Sequence, residues 1–253
     1  MEGTPLSIVK GHLTADAPLD TAISRAILQR VSDGDLAETL QIGRPHKVVA
    51  FGKHDAITRG FDRAVQIALD LGFDPTTRIA GGRAVVFHKH VIRFAWTVPS
   101  PDPVRDMHSR FELVAARMVD TLAYFDIGAA VGQLELEYCP GRYSVSIPGA
   151  GKVMGSGQRL ARRAAQIAGM IVVRDAASIN AVLEPVYEAL GLAMDPNITA
   201  SISDVKELDT EAVMDRFCHL FVGDRERIDA DIDDDTYSRA RGFRNDQDPR
   251  ILA

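Results

Sequence analysis

Cysteine is scarce in this sequence, with Cys139 and Cys218 the two examples among 253 residues. They lie far apart and form no CxxC pair, so the sequence predicts neither a disulfide framework nor a zinc ribbon. The seven histidines show no metal-ligand spacing, and we therefore expect no structural metal. Any special cysteine in this chain would be a lone nucleophile.

Long hydrophobic runs and excess positive charge are also absent. No segment approaches the roughly 20 apolar residues that a membrane-spanning helix needs. Residues 1–13 lack the cationic start and the continuous apolar stretch of a secretory signal, so we expect a cytoplasmic protein without a membrane partner. The formal charge of −6 argues against general affinity for nucleic acid. The composition, 46% hydrophobic and 25% charged, is typical of a globular protein.

The length and the charge distribution predict the domain organisation. A chain of 253 residues suits one large domain with a small appendage. We expect the main domain over residues 1–205 and a short, helical, acidic C-terminal extension over residues 206–253, which contains DRERIDADIDDD. In RLARRAAQ, three arginines have helical spacing and could meet an acidic partner, although a solvated helix face explains them as well: Arg159, Arg162 and Arg163.

Hydrophobic periodicity predicts helices and strands in the first half of the chain. DTAISRAILQRV is expected to form an amphipathic helix with Asp20 as its N-cap, and residues 47–52 form a buried strand. The next helix is expected to end at Gly72. Three short strand candidates follow, TTRIA, AVVFH and VIRFAWTV, and their close spacing predicts a meander.

The second half predicts more helix. A long amphipathic helix is expected from Val104 to Tyr124. RYSVSIPG and KVMG are predicted strands, GSGQRLARRAAQ the start of a helix, and AGMIVV a buried strand. Two further helices are expected at INAVLEPVYEALGL and TEAVMDRFCHLFVGD. Strands with short connections and interspersed helices favour an α+β fold with a mixed sheet.

A first candidate binding motif is RIAGGRAVVFH, which runs from Arg78 to His88. Gly81 and Gly82 let the backbone approach a ligand closely and direct its amides at an anion. Arg78 and Arg83 flank the glycines, and a guanidinium can bind a phosphate through two hydrogen bonds. A glycine pair between two strands is, however, more often simply a turn.

A second candidate motif is GAGKVMGSGQRL, in which Lys152 lies among glycines. A lysine beside the exposed amides of a helix N-terminus can hold a carboxylate or a phosphate, and it can stabilise negative charge on an attacked carbonyl. A surface hairpin with a solvated lysine is the alternative for this segment taken alone. The other candidate binding residues of the motif are Gly155, Ser156, Gly157 and Gln158.

The order of these features resembles the lipoate-protein ligase A family and the related octanoyl and lipoyl transferases. The resemblance covers roughly residues 18–205 and rests on VVAFG, R-x-x-GG-x-AV with a following histidine, a long helix and GK-x-x-G-x-x-Q. It implies a mixed sheet flanked by helices, like that of biotin ligases and class II aminoacyl-tRNA synthetases, with residues 1–205 as the catalytic domain. It also implies that Lys152 contacts an acyl carbonyl and an α-phosphate, with Arg78, Gly81, Gly82, His88, Gly155 and Gln158 around the ligand.

The resemblance leaves three functions open. The first is an ATP- and Mg²⁺-dependent ligase that forms an acyl-adenylate of lipoate or octanoate and transfers the acyl group to a lysine of a lipoyl carrier domain or a glycine-cleavage H-like protein. This activity could require a separate accessory subunit. The second is an ATP-independent transferase in which Cys139 carries the acyl group as a thioester, although cysteine is also a common buried residue. The third is a non-catalytic lipoyl-binding homologue, because Arg83 replaces the third glycine of the family pattern.

Overall fold

Two β-sheets form the framework of the protein, and α-helices pack around them. The computed structural model describes residues 3–11 and 13–251. The strands are β1 (Leu6–Lys10), β2 (Thr39–Gly43), β3 (Val48–Phe51), β4 (Asp74–Thr77), β5 (Val85–Phe87), β6 (Val91–Pro99), β7 (Ala130–Val131), β8 (Val145–Ile147), β9 (Gly151–Leu160), β10 (Ala164–Val172) and β11 (Arg227–Asp229). The helices are α1 (Ala17–Asp33), α2 (Phe61–Asp70), α3 (Met107–Tyr124), α4 (Ala176–Ala189), α5 (Thr210–Val222) and α6 (Asp234–Phe243).

The larger sheet is mixed. Within the described residues its strand order is β11-β1-β2-β6-β10-β9-β8-β7, and the smaller sheet has the order β4-β3-β5. β1 pairs in parallel with β2 and β11, whereas β2, β6, β10, β9 and β8 pair antiparallel in turn. This mixed sheet, flanked by helices, confirms the predicted α+β class.

A side-chain N-cap marks the beginning of α1, and a glycine follows the end of α2. α1 begins one turn earlier than predicted, because Asp16 and not Asp20 is its N-cap and accepts a hydrogen bond from the Leu19 amide. Asp20 lies in the first turn and is buried. α2 ends at Asp70, and Gly72 follows with φ of 76°, as expected for a glycine after a helix C-terminus.

The predicted meander is wrong, because the three strands do not pair with one another. β4 pairs in parallel with β3, since α2 provides a crossover between them, and β5 pairs antiparallel with β3. β6 instead lies between β2 and β10 in the larger sheet. The hydrophobic pattern therefore located the strands, but it carried no information about their partners.

The predicted helix at GSGQRLARRAAQ is also wrong. β9 continues to Leu160, a short turn follows, and β10 returns antiparallel, with Gly157 opposite Ala168. Cross-strand pairing outweighs helix formation here because Gly155 and Gly157 disfavour a helix. Three arginines consequently lie at the strand end and in the turn rather than along a helix face: Arg159, Arg162 and Arg163.

The two faces of the larger sheet differ in polarity. Successive side chains along a strand point to opposite faces of the sheet, so the neighbours of a residue in the apolar core lie on the opposite face. Phe94, Trp96 and Ile167 belong to the apolar core that also contains residues of α3 and α5. The opposite face, covered by α1, carries buried polar residues: Thr39, Gln41, Thr97 and Gln166.

The C-terminal residues pack against the same framework. α5 contacts β2 and β6, and β11 pairs with β1 at the edge of the larger sheet. α6 packs on α1, where Arg30 donates to both carboxylate oxygens of Asp233. In the described part of the chain, no helix is long and apolar enough to cross a membrane.

Candidate active site

A cavity lies between α1, the smaller sheet and the polar face of the larger sheet. Its empty volume is about 860 Å³, open solvent included. Apolar side chains and several charged or polar ones line it, among them Ala17, Asp20, Ser24, Val48, Ala50, Arg78, Val85, Phe87, Arg93, Cys139, Lys152, Gly155, Ser156, Gln166, Ala168 and Met170.

Cys139 presents its sulfur to this cavity in an unusual backbone conformation. Its φ of 41° is in the left-handed region, which a non-glycine residue adopts only when its surroundings enforce it, often at functional sites. The Tyr187 hydroxyl accepts the Cys139 amide at 2.7 Å and thereby helps to hold this turn. The Cys139 thiol is thus positioned by the fold.

Two donors converge on the Cys139 sulfur. Arg78 Nη2 donates to Sγ at 3.0 Å, and the Arg83 amide donates at 3.3 Å. Burial by itself would raise the pKa of the thiol, but the positive charges of Arg78 and Lys152 and these two hydrogen bonds outweigh it and lower the pKa of Cys139 below its ordinary value. The site therefore favours the thiolate, which is the nucleophilic form. Burial raises the pKa of the second cysteine, Cys218.

Gly82 allows Arg78 to reach Cys139. A Cβ atom at residue 82 would lie 2.1 Å from Arg78 Nη2 and 2.6 Å from Cys139 Sγ, and the φ of Gly82 is 108°. Gly81 is a suitable control position, because a Cβ atom there would fit: its nearest heavy atom, the Gln158 carbonyl oxygen, would be 3.9 Å away. The second glycine of the pair is thus the one on which the thiolate pocket depends.

We expect Gly82→Ala to slow iodoacetamide alkylation of Cys139 at neutral pH by at least about tenfold, because losing the Arg78 contact raises the thiol pKa. Gly81→Ala should leave the rate within about twofold of the parent. Intact-mass kinetics at fixed iodoacetamide concentration give both rates, and Cys218 serves as the slow internal reference. Equal rates in the two variants would show that Arg78 does not activate the thiol.

Lys152 lies beneath the Cys139 turn, fully buried. Its Nζ donates to the carbonyl oxygens of Tyr138 at 2.9 Å and Cys139 at 3.0 Å, and lies 3.3 Å from Glu137 Oε1. Burial lowers the pKa of Lys152, opposed by the negative charges of Glu137 and Cys139. The sequence argument placed Lys152 beside a helix N-terminus, which is wrong, since β9 continues through this segment.

Glu137 is a residue that the sequence analysis missed. It is 2% exposed, and its carboxylate accepts from the amides of Leu134 and Gly141 and the hydroxyl of Ser144. These contacts hold the loop from residue 134 to residue 144 around the carboxylate, with Lys152 as its counter-charge. The signal in the sequence was weak, since Glu137 lies in an acidic stretch, LELEY, that resembles a solvated surface.

The remaining predicted residues divide into two groups. Gly155 and Ser156 line the cavity, and a Cβ atom at Gly157 would lie 2.5 Å from the Gly81 carbonyl oxygen, so Gly157 allows the two motifs to approach. Three of the predicted side chains form their hydrogen bonds or ion pairs with other residues of the protein. The Arg83 guanidinium pairs with buried Asp55, Gln158 bonds Arg110 and the Met107 carbonyl, and the His88 ring contacts the Asp175 carbonyl and the His90 amide.

The donor set at the cavity suits an anion better than a metal. Arg78 and Lys152 supply positive charge beside Cys139. Within residues 3–11 and 13–251, no group of three or more histidine, cysteine, aspartate or glutamate side chains is arranged to hold a metal ion. A phosphate or a carboxylate could therefore bind Arg78, while the donors of Lys152 are directed at Tyr138, Cys139 and Glu137.

Comparisons with known proteins identify the family to which the chain is similar. The family model for the lipoyl protein ligase A/B catalytic domain matches residues 16–222. An octanoyl-[GcvH]:protein N-octanoyltransferase from Geobacillus kaustophilus is 24% identical over 200 residues, 75% of this chain and 70% of the relative. A lipoyl-[GcvH]:protein N-lipoyltransferase from Listeria monocytogenes is 23% identical over 172 residues, 64% of this chain and 62% of the relative.

A solved structure shares the fold over its whole length. The crystal structure of a lipoate-protein ligase A bound with ATP superposes with a TM-score of 0.77 at 18% sequence identity and covers 100% of both chains. At this identity, the likeness establishes the common fold.

Proposed function

The chain belongs to the lipoyl protein ligase A/B catalytic domain family, and we propose that it is a cysteine-dependent acyltransferase that moves an octanoyl or lipoyl group between carrier proteins. One observation carries the proposal. The Cys139 sulfur faces the cavity, where Arg78 and the Arg83 amide donate to it and its pKa is lowered. These contacts favour the thiolate, which is the nucleophilic form of cysteine, and an enzyme that forms an acyl-adenylate does not require such a group. Two relatives named as N-acyltransferases support the proposal.

In the first half-reaction, the Cys139 thiolate attacks the carbonyl carbon of an acyl group that is bound as an amide to a lysine of the donor carrier. A C–S bond forms, the C–N bond breaks, and the leaving nitrogen takes up a proton from water and departs as the lysine amine. The positive charges of Arg78 and Lys152 favour the ionised form of Cys139 before the attack. The acyl chain extends into the cavity, where side chains such as Val48, Ala50, Val85, Phe87 and Met170 contact it.

In the second half-reaction, the neutral lysine amine of the acceptor carrier attacks the thioester carbonyl. The C–N bond forms, the C–S bond breaks, the nitrogen releases a proton, and Cys139 leaves as the thiolate that Arg78 and Lys152 stabilise. An amide is exchanged for an amide, so the overall transfer needs no ATP. The carriers of this proposal are glycine-cleavage H-like proteins and lipoyl domains.

An ATP-dependent ligase is the second candidate. Arg78 and Lys152 place two cations at the cavity, and Arg78 could hold the phosphate of an acyl-adenylate. ATP and Mg²⁺ would then be required, with Mg²⁺ bound mainly through substrate phosphates. A separate accessory subunit stays a prediction for this candidate.

Transfer with and without ATP separates the candidates. We expect an octanoylated H-like protein and an unmodified lipoyl domain to exchange the octanoyl group in the absence of nucleotide, as measured by intact mass of both carriers. Modification that requires ATP and free octanoate, with pyrophosphate release, would instead establish the ligase. No acyl gain under either condition would favour a non-catalytic binding protein.

A further inference from the structure

Cys139 reaches the surface of the protein beside the glycine turn. Cys139 is partly exposed, and Gly81, Gly82 and Pro140 around it are exposed. A protein that presents an acylated lysine to this thiol must cover the surrounding surface. Even a transient interface of about 600 Å² per partner is a patch roughly 14 Å in radius. The residues that border the glycine turn therefore lie within reach of a bound carrier protein.

One loop borders the glycine turn directly. This segment, residues 53–59, is called the basic loop below, and it follows Gly52, where a Cβ atom would lie 1.8 Å from the Gly82 carbonyl oxygen. A Cβ atom at Gly82 would in turn lie 2.6 Å from Cys139 Sγ. With ordinary bond lengths, these two contacts place Gly52 within roughly 8 Å of the sulfur. The basic loop thus begins inside the patch that a carrier must cover.

Hydrogen bonds hold the basic loop to the glycine turn. Asp55 is fully buried, and its carboxylate accepts from the Gly52 amide at 2.8 Å and from Arg83 Nη1 at 3.2 Å. Thr58 donates to the Asp55 carbonyl oxygen through its hydroxyl at 2.6 Å and through its amide at 2.9 Å. The amide of the same Arg83 donates to Cys139 Sγ. The basic loop and the thiolate pocket are therefore fixed relative to each other, which lowers the entropy cost of binding a partner there.

The outward side chains of the basic loop are apolar or positively charged. Ile57 is 82% exposed, although it is a large hydrophobic residue on a well-anchored loop. Lys53 and Arg59 are exposed and form no hydrogen bond or ion pair with any described residue. Arg63 of α2 adds a third exposed positive charge, against one negative charge on Asp62. The surface beside Cys139 is thus positive, whereas the whole chain has a formal charge of −6.

This composition is that of an interface for an acidic partner. A single exposed isoleucine is common on protein surfaces and indicates nothing when it stands alone. An apolar side chain with charged neighbours, however, corresponds to the core and rim of a protein–protein interface. Positive rim charges attract a negative partner and set its orientation. The basic loop combines both features at the place where the acyl group must be delivered.

We propose that the basic loop is the surface on which the carrier protein docks. Ile57 is its central apolar contact, and Lys53 and Arg59 pair with acidic side chains that surround the modified lysine of the carrier. Docking at this loop brings that lysine over the glycine turn to Cys139. The inference rests on the proposed function for the identity of the partner. It adds the surface that recognises the carrier and the charge that the carrier must present.

Binding of an unmodified, acidic H-like protein tests the inference without requiring turnover. Fluorescence anisotropy of the labelled carrier in 0.15 M salt gives the dissociation constant, and at this ionic strength charges more than about 8 Å apart are largely screened. We expect Lys53→Glu/Arg59→Glu to weaken binding at least about twentyfold, because attraction at the rim becomes repulsion. The substituted side chains are exposed, so the melting temperature should stay close to that of the parent protein.

Arg159→Glu/Arg162→Glu is the matched control, because it makes the same change in charge at two other exposed arginines. Arg159 lies seven residues along β9 from Lys152, roughly 23 Å away. We expect this variant to bind the carrier within about threefold of the parent protein.

The apolar contact is tested by a second pair of variants. We expect Ile57→Ser to weaken carrier binding at least about fivefold, since the contact at the centre of the interface loses its apolar surface. Ile251→Ser is its control, because Ile251 is also exposed but follows Arg250, which contacts Asp74 at the opposite end of β4 from Arg78. It should bind within about twofold of the parent protein.

Equal weakening by the two charge-reversal variants would overturn the inference, because it would reveal only a general effect of charge. Unchanged binding in Lys53→Glu/Arg59→Glu, or no binding of the carrier to the parent protein, would overturn it as well. Absence of carrier-to-carrier transfer in the parent protein, with the expected binding differences intact, would instead count against the proposed function and leave the docking surface standing.

Discussion

Replacing Cys139 with serine is expected to reduce acyl transfer between carrier proteins by at least about 10³-fold. The cations that favour a thiolate at Cys139 cannot ionise an aliphatic hydroxyl to a useful extent, because its pKa is far higher. The substitution is nearly isosteric, so the turn and the hydrogen bond to Tyr187 should persist. Initial rates at saturating donor carrier, without ATP, measure the effect.

Cys218→Ser is the matched control for this experiment. Cys218 is 3% exposed in the apolar core, and burial raises its pKa, so it has none of the features of the nucleophile. We expect it to keep at least about half of the parental transfer rate, with some loss of stability from a buried hydroxyl. Full activity of Cys139→Ser in this ATP-free assay would remove the thioester mechanism.

Lys152→Met is expected to lower both the transfer rate and the free energy of unfolding. Lys152 pairs with buried Glu137, and removing one partner of a buried ion pair typically costs about 3–5 kcal/mol. Its loss also removes a positive charge that lowers the pKa of Cys139, so less thiolate forms at neutral pH. Urea denaturation and transfer assays give the two quantities separately, and we expect at least about a 10²-fold loss of transfer.

The double variant Glu137→Gln/Lys152→Met separates the two effects. Removing the carboxylate charge with the ammonium charge should restore part of the lost stability, since no uncompensated buried charge remains. Transfer should stay low, because neither substitution returns a positive charge to Cys139. Recovery of transfer along with stability would show that Lys152 acts only by holding the fold.

The elements of this fold were largely predictable from the sequence, and their arrangement was not. The hydrophobic pattern located α1, α3, β3 and β6 to within a few residues, because the helices have apolar residues at helical spacing and the strands are short apolar runs. The prediction of strand partners failed, because β4 and β5 both pair with β3 through contacts that the local sequence pattern does not encode. The prediction of a helix from Gly155 to Leu160 failed because the pairing of this segment with β10 overrides its local helix preference.

The candidate site was partly predictable for a similar reason. Lys152, Arg78 and the glycine pair stand out because their order along the chain resembles the pattern of the lipoate-protein ligase A family. Their contact with Cys139 could not be read from the chain, since Arg78 is 61 residues from Cys139 and the fold of β9 decides where the Lys152 side chain lies. Glu137 and Arg93 were missed because charged residues in a sequence usually indicate surface, and only the fold buries or encloses them.

The most direct test of the central claim is the intact mass of the protein itself after mixing with an excess of octanoylated carrier and no ATP, quenched in acid. The thioester mechanism predicts a mass gain of one octanoyl group that neutral hydroxylamine removes and that is absent in Cys139→Ser. An unchanged mass in the parent protein, while the acceptor carrier becomes octanoylated, would contradict it.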